Sequence, residues 1–188
     1  WTNSTGSDAN KENFKVKKEN RSKNMFRVKV IEGYGKHELK IKNKTKLELY
    51  IRRGTTVENR KKVFDEFYRN HLKTILPEMI AVWEATTKEK VASWNIRAMH
   101  TKWASCNIEK RGLLFNLELA KKPRHCTDYV ILHEIIHLKE RHHNDRFRAL
   151  LNHYMSNWRN IKRELDELPV IVPVSELGGK PRFDNSGK

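Results

Sequence analysis

Residues 129–138 read Tyr-Val-Ile-Leu-His-Glu-Ile-Ile-His-Leu, and this stretch decides the fold of the chain. On a helix, a spacing of four residues places His133 and His137 on one face, about one turn apart. Two ring nitrogens so placed can reach one zinc ion at about 2.0–2.1 Å. Glu134 lies about 100° around the helix, where its carboxylate can reach a water on the metal without being a ligand. The spacing therefore predicts a metal-binding helix with Glu134 as general base.

The residues around this motif are almost all apolar or aromatic, namely Tyr129, Val130, Ile131, Leu132, Ile135, Ile136 and Leu138. A helix buried on nearly all sides needs a reason to carry two histidines and a carboxylate, because unpaired buried polar groups are costly. A bound metal supplies that reason. The alternative is a chance occurrence of the motif on an ordinary amphipathic helix, and it fits the apolar surroundings less well.

A catalytic zinc commonly has a third protein ligand, which the spacing leaves open. The side chains that could provide it are His142, His143, His153, Glu140, Glu164 and Glu167. A continuous helix would turn His143 away from the ligand face, so His143 can bind only if the helix ends near Glu140 and the chain folds back. Asn144-Asp145 is a suitable start for a new helix. Glu164 or Glu167 on that later helix is the rival arrangement.

Before this helix, apolar and polar residues first alternate with a period of two. The alternating apolar positions are Phe26, Val28 and Val30, then Leu39 and Ile41, then Leu47, Leu49 and Ile51. This pattern predicts three half-buried antiparallel strands. After Gly54, apolar residues recur at intervals of three and four, which predicts a long amphipathic helix. We expect Thr55 or Thr56 to cap it and Pro77 to kink or divide it.

Two short strands are expected next, over residues 91–99 and 113–119. The metal-binding helix is predicted from about Arg124 to about Lys139. A further helical stretch should run from Asn144 or Asp145 to about Leu168, with a break near Ser156-Asn157. The predicted fold class is α+β, with N-terminal antiparallel strands, a long helix and a small sheet packed against the metal-binding helix.

The chain is strongly basic, with 39 Lys and Arg against 23 Asp and Glu and a formal net charge of +16. From Trp1 to Phe64, 18 basic and 7 acidic side chains give +11 (18 − 7). Charge of this sign attracts anions, so the basic N-terminal strands are candidates for binding nucleic acid or a nucleotide. The alternative is a solvated surface, because no groove-reading motif accompanies the charge.

The composition predicts a disordered polar tail over residues 1–24, one domain over 25–168 and an extended tail over 169–188. The two cysteines, Cys106 and Cys126, form no CxxC pair and fit a reducing, cytoplasmic setting. No apolar run approaches the roughly 18 residues that span a membrane, so no membrane partner is expected. The chain begins with Trp rather than Met, and what precedes it in the native protein is left open.

Four motifs, in this order along the chain, resemble those of a known family. They are Lys102-Trp103-Ala104-Ser105-Cys106-Asn107, LLFNLELA at 113–120, CTDYVILHEIIHL at 126–138 and HNDRF at 143–147. Together they resemble the YgjP-like metallopeptidases, which are related to SprT-like zinc proteases, from about Phe26 to Leu168. The resemblance implies a zincin-like fold, a protein or peptide substrate and one zinc ion, with nickel or manganese as other candidate metals.

Carried over by position, the resemblance implies His133, His137 and His143 as metal ligands and Glu134 as the base. One departure is Ala104, which stands where the family usually has Gly. If that Gly allows a positive φ or a close backbone approach, Ala104 puts the geometry of this loop in doubt.

Three further residues are candidates for lining the cleft, namely Trp103, Ser105 and Asn116. For Trp103 we favour packing in the core beside the metal helix, because Trp is mostly buried in proteins. Asn is disfavoured within a strand, so a hydrogen-bonding role is expected for Asn116. Cys106 is expected to be a small buried residue rather than a ligand.

Two functions fit these residues. The first is a zinc peptidase, in which an activated water attacks a peptide carbonyl and Glu134 shuttles protons. SprT-like relatives act on proteins bound to DNA, which would give the basic strands a role. The second is a metal-dependent nucleoside triphosphate (UTP) pyrophosphatase, as some YgjP-like proteins are described, with Lys and Arg neutralising the phosphates. No Gly-rich phosphate loop is visible in the sequence, so the peptidase is favoured.

Overall fold

The structure is a computed structural model that describes residues 27–33, 35–43 and 46–167. Within these ranges the chain forms two small three-stranded sheets and four α-helices, so the predicted α+β class is confirmed. The tails predicted for residues 1–24 and 169–188 lie outside the described residues, as do Phe26 and Leu168.

The first sheet contains β1 (Arg27–Gly33), β2 (Glu38–Asn43) and β3 (Lys46–Arg52) in the order β1-β3-β2. β2 pairs antiparallel with β3, as predicted, but β1 runs parallel to β3. The prediction of three antiparallel strands is therefore wrong for β1. Alternation fixes which face of a strand is apolar, but it leaves the neighbour and the direction of the strand open.

The next element, α1 (Val57–Thr87), is a 31-residue helix that joins two hydrophobic clusters. Its N-cap is Thr56, one of the two predicted caps. The Thr56 hydroxyl accepts a hydrogen bond from the N–H of Asn59. The first cluster lies between this helix and the first sheet and includes Leu39, Leu47, Leu49, Ile51, Val63, Phe64 and Phe67. Pro77 lies within the helix and does not divide it, so of the two expected effects, a kink or a division, the division is absent. From Leu72 onward, the buried hydrophobic side chains of α1 belong to the main core.

The second sheet contains β4 (Ser93–Arg97), β5 (Ala104–Asn107) and β6 (Gly112–Asn116) in the order β4-β6-β5. β4 is parallel to β6, and β5 is antiparallel to it. β5 was not predicted, because its four residues, Ala-Ser-Cys-Asn, form a very short alternating run without a β-branched or aromatic side chain. The strand predicted over 113–119 ends three residues early, and Leu117–Lys121 forms a 3₁₀-helix.

The remaining elements are α2 (Arg124–Ile136), α3 (Asp145–Tyr154) and α4 (Trp158–Glu167). α2 lies at the centre of the main core, where it contacts α1, β5, α3 and α4, and most of its side chains are buried. It ends three residues before the predicted Lys139, whereas the predicted break near Ser156-Asn157 is present. In the part of the chain that the structure describes, no helix combines the length and the apolar character needed to cross a bilayer.

Candidate metal centre

Three imidazole rings converge at the C-terminal end of α2. The candidate ligand nitrogens of His133, His137 and His143 all lie within 4.8 Å of one another. Their ring centroids are 4.8 to 5.0 Å apart, and the Nε2 atoms of His133 and His143 are separated by 2.9 Å. A tetrahedral zinc ion with bonds of about 2.0–2.1 Å separates its nitrogen ligands by about 3.3–3.4 Å. Small adjustments of the three rings would therefore let them share one ion.

His143 reaches the other two rings because the chain reverses direction directly after α2. The last turn tightens, since the N–H groups of Leu138 and Lys139 bond to carbonyls three residues earlier, at 3.0 and 2.8 Å. Asn144 then caps α3 by accepting a hydrogen bond from the N–H of Phe147 at 3.0 Å. The condition that the sequence set for His143, an early helix end and a reversal of the chain, is met.

The ring of Phe147 forms an apolar floor under the three imidazoles. Its centroid lies 4.9, 4.8 and 4.7 Å from those of His133, His137 and His143, respectively. Phe147 is only 1% exposed and belongs to the main core. Because one rigid buried ring contacts all three imidazoles, it restricts where each of them can move.

Two hydrogen-bond partners orient the imidazoles from outside the cluster. Nδ1 of His137 lies 3.1 Å from the carbonyl oxygen of Glu140, and Nδ1 of His133 lies 3.4 Å from the hydroxyl of Tyr129. A carbonyl only accepts, so Nδ1 of His137 carries the proton and its Nε2 keeps a free lone pair. Outer contacts of this kind hold the tautomer and the ring orientation of metal-binding histidines.

Burial and mutual repulsion keep two of the clustered histidines, His133 and His137, uncharged. Burial, the charges of His137 and His143, and Lys162 lower the pKa of His133 to about 3. Burial also lowers the pKa of His137, partly offset by its hydrogen bond to the carbonyl of Glu140. Only a neutral imidazole can donate a lone pair to a metal, so both rings are in the form that a metal requires at neutral pH.

Glu134, on the same helix, is almost completely buried. It is 7% exposed, and burial raises the pKa of its carboxyl to about 7, partly offset by the positive charge of Lys102. A carboxyl with a pKa near the working pH can both accept and donate a proton. This is the property that a general base needs if it must later act as an acid.

The other ligand candidates lie outside this cluster, namely His142, His153, Glu140, Glu164 and Glu167. Glu164, the main rival, has its carboxylate 2.7 Å from Nε2 of His125, near the other end of α2. The side chain of Glu140 instead accepts a hydrogen bond from the N–H of His142. Among the residues that the structure describes, His143 is therefore the candidate that the fold brings to His133 and His137.

Asn116 was considered a cleft-lining residue, and the structure gives it a different environment. The side chain is completely buried. Its amide donates to the carbonyls of Met99 and Lys102 at 2.9 and 2.8 Å. Its side-chain oxygen accepts from the N–H groups of Met99 and Glu118, both at 3.2 Å. Asn116 thus joins the loop that carries Lys102 to the start of the 3₁₀-helix, and the expected hydrogen-bonding role is present.

The segment before and within β5 contains the other two cleft candidates. Trp103 is half-buried against the main core, with Nζ of Lys122 5.0 Å from its ring centroid. Ser105 is half-buried and pairs with Leu114 of β6. Ala104 is a buried strand residue. Among the described residues other than glycine, a positive φ occurs only at two positions outside this segment, so Ala104 has no strained backbone.

On the exposed face of the first sheet, some of the basic side chains lie next to carboxylates. In the strand register, Glu48 lies between Lys29 and Lys40. Its carboxylate is 3.7 Å from Nζ of Lys42, and that of Glu38 is 3.1 Å from Nζ of Lys40. These two carboxylates therefore offset only part of the basic charge of this face, which also carries Lys46 and Arg52. A nucleic-acid or nucleotide partner stays a prediction.

Three residues at the metal centre, Tyr129, Lys102 and Phe147, were not predicted from the sequence to have a role there. For Tyr129 a signal was present, because Tyr129 and His133 are four residues apart on one helix face. Phe147 also had a signal, since it occurs in a motif quoted for the resemblance. Lys102 also occurs in such a motif, but its position near Glu134 could not be predicted, because the loop that brings its charge there is held by tertiary hydrogen bonds.

Comparisons with known proteins found one family and a solved structure to which this chain is similar. The YgjP-like metallopeptidase domain matches residues 3–168. Among solved structures, the chain is similar to the crystal structure of the metallopeptidase zymogen of Methanocaldococcus jannaschii jannalysin. The similarity has 21% identity and a TM-score of 0.43, over 48% of this chain and 93% of that one. No curated protein matches the chain significantly. Because the family match spans most of the sequence, the chain belongs to the YgjP-like metallopeptidase domain family and is a metal-dependent hydrolase.

Proposed function

We propose that the protein is a zinc-dependent metallopeptidase in which His133, His137 and His143 hold the ion and Glu134 is the general base. The observation that carries this proposal is the convergence of three ring nitrogens within 4.8 Å of one another, beside a buried carboxylate on the same helix. Three protein ligands with room for one more are typical of catalytic zinc sites.

The chemistry of the donor set supports zinc among the divalent metals considered. All three donors are imidazole nitrogens, which suit zinc and nickel, whereas manganese favours carboxylate and water oxygens. When bound, zinc would supply Lewis acidity and lower the pKa of a water molecule to about 7. The outer contacts of His133 and His137 leave Nε2 of each ring available for such an ion.

The role proposed for Glu134 is to move one proton twice. Its carboxylate accepts a proton from the attacking water and then donates it to the amine nitrogen of the leaving group. Burial supports this role, because it raises the pKa of the carboxyl to about 7 and favours the protonated acid after the first transfer. The charge of Lys102 favours the ionised form that must start the cycle.

The test compares Glu134→Gln with the wild type on an unfolded protein and, separately, on UTP. We expect the wild type to cleave the protein. Glu134→Gln should cleave it about 10²–10⁴-fold more slowly while keeping its metal. The matched control is Glu109→Gln, an exposed carboxylate in the turn before β6, which should behave like the wild type. Full activity of Glu134→Gln would reject the proposed base. Hydrolysis of UTP with no cleavage of protein would replace the peptidase with the nucleotide hydrolase.

The assignment of His143 as a metal ligand is tested by measuring bound metal. Metal content after dialysis should fall for His143→Ala, because two imidazoles hold zinc less tightly than three. His142→Ala removes a neighbouring exposed imidazole that lies outside the cluster, so it is the control and should keep its metal. Equal metal content in both variants, at the wild-type level, would remove His143 from the ligand set.

A further inference from the structure

A second group of metal-binding side chains lies between the first turn of α2 and α4. The candidate ligand atoms of His125, Cys126 and Glu164 all lie within 4.8 Å of one another. Nε2 of His125 is 2.7 Å from a carboxylate oxygen of Glu164. Imidazole, thiolate and carboxylate are the three ligand types that zinc takes in proteins.

This group is separate from the catalytic candidates. His125 precedes His133 by eight residues on the same helix, which corresponds to about 12 Å along the axis. Paired catalytic metals lie only about 3.5–4 Å apart, so an ion at His125 would not be a partner in the hydrolysis. The site therefore neither rests on the proposed function nor shares a ligand with it.

We propose that His125, Cys126 and Glu164 form a second metal site, which takes a divalent transition metal such as zinc and ties α4 to the start of α2. A tetrahedral ion with bonds of about 2.0–2.3 Å separates its ligand atoms by about 3.3–3.8 Å. Nε2 of His125 and the carboxylate oxygen of Glu164 are 2.7 Å apart and would separate slightly to reach that spacing. The sulfur of Cys126 lies within 4.8 Å of both atoms, so only small movements are needed. The side chains of His125 and Glu164 are 50% and 46% exposed, so both can move and an ion can enter from solvent.

With an ion bound, the charges of the site would balance. A thiolate and a carboxylate supply two negative charges, which balance a divalent ion. Lys122 is a positive neighbour of Cys126 and opposes a cation, and the two negative ligands outweigh its single charge. Without a metal, burial raises the pKa of the Cys126 thiol to about 11. Metal binding would replace the thiol proton, which leaves to solvent.

An ion here would act on the catalytic centre through the packing of α4. Trp158, at the start of α4, stacks on Tyr129 with the ring planes 7° apart and the centroids 6.3 Å apart. The hydroxyl of Tyr129 in turn contacts His133. Fixing α4 on α2 would therefore hold Tyr129 in the position from which it orients a catalytic imidazole.

The test is a cobalt titration of the metal-free full-length chain, monitored by absorbance. Cobalt bound by a thiolate gives a near-ultraviolet charge-transfer band, which imidazole and carboxylate ligands do not give. We expect two cobalt ions per chain and a thiolate band that belongs to one of them. Cys126→Ser should lose the band, whereas Cys106→Ser, the matched control at the other cysteine, should keep it.

Two variants at exposed positions guard against misfolding of Cys126→Ser, whose side chain is fully buried. His125→Ala and Glu164→Gln should each lower the affinity for the cobalt ion that gives the thiolate band by at least tenfold. The affinity for the other cobalt ion should not change. One cobalt per chain without a thiolate band would overturn the proposal. So would a band that survives Cys126→Ser, or one that neither His125→Ala nor Glu164→Gln weakens. These readouts do not depend on peptidase activity, so failure of the proposed function would be seen separately.

Discussion

The hydroxyl oxygen of Tyr129 lies 3.4 Å from Nδ1 of His133, one turn further along α2. When Nε2 of His133 donates its lone pair to a metal, Nδ1 carries the proton and donates to this hydroxyl. Removing an outer contact of this kind commonly costs about 10–100-fold in metal affinity. We therefore expect Tyr129→Phe to bind zinc about tenfold more weakly, as measured by competition with a chromophoric chelator.

Tyr129→Phe tests the hydroxyl alone, because phenylalanine keeps the aromatic ring. The stack of Tyr129 on Trp158 should persist in Tyr129→Phe, so the free energy of unfolding of the metal-free protein should change little. Tyr154→Phe, which removes a hydroxyl from α3, is the control and should keep wild-type affinity. Unchanged zinc affinity in Tyr129→Phe would show that the 3.4 Å contact does not orient His133.

Asn144 connects the start of α3 to the position of His143. Replacing an N-cap Asn with Ala costs about 1 kcal/mol of stability, because the N–H of Phe147 loses its acceptor. We expect Asn144→Ala to lower the free energy of unfolding in urea by about this amount. It should also weaken zinc binding, since His143 precedes the cap directly. Asn144→Asp keeps an acceptor in the same position and should remain close to the wild type in both measurements.

The metal-binding helix and the start of α3 could be predicted from the sequence because their signals are local. The interval between His133 and His137 needs only helical periodicity, and Asn144 needs only the preference of Asn for N-caps. The proximity of His143 to His133 is different. It depends on where α2 ends, and that end involves a hydrogen bond between His137 and the carbonyl of Glu140 that no periodicity encodes.

Pairing between distant strands was the other feature that the sequence left undetermined. The parallel neighbours Val28 and Leu47 are far apart along the chain, and their alternation is equally compatible with a hairpin. The hydrogen bonds of Asn116 also join residues that are far apart along the chain. Because Asn is disfavoured in strands, the sequence indicated that Asn116 has hydrogen-bond partners. It could not identify them as Met99 and Lys102, which reach Asn116 only in the folded loop.

Asp128 gives the stability of the protein a dependence on pH. Burial raises the pKa of this carboxyl above its ordinary 3.8, only partly offset by the hydrogen bond from the indole N–H of Trp83. The folded state therefore favours the protonated acid. Its stabilising contribution is fully present below the unfolded pKa and is lost as the pH rises through the folded pKa.

Asp128→Asn removes this dependence while keeping an acceptor for Trp83. We expect the variant to be more stable than the wild type at pH 7 and equal to it at pH 3, in urea unfolding of the metal-free protein. Asp145→Asn, at an exposed helix start, is the control that should show no such gain. A variant that is less stable than the wild type at pH 7 would mean that the Asp128 carboxylate stabilises the fold as an anion.

Asn116 should be the most sensitive polar position outside the metal centre. Asn116→Ala leaves buried groups of Met99, Lys102 and Glu118 without partners, and each such group costs about 1–3 kcal/mol. We expect a loss of at least about 3 kcal/mol in the free energy of unfolding. Asn116→Asp keeps both acceptor contacts but cannot donate to the two carbonyls and buries a charge, so it should be at least as unstable at pH 7.

Hydrogen exchange distinguishes a local role from a general loss of stability. Because Asn116 holds the loop that carries Lys102, the amide of Met99 should exchange faster in Asn116→Ala than the global loss of stability requires. Amides in the centre of α2, such as that of Ile131, report the global change and serve as the internal reference. Equal acceleration at Met99 and Ile131 would mean that Asn116 supports the whole core and does not act as a local anchor for the loop beside Glu134.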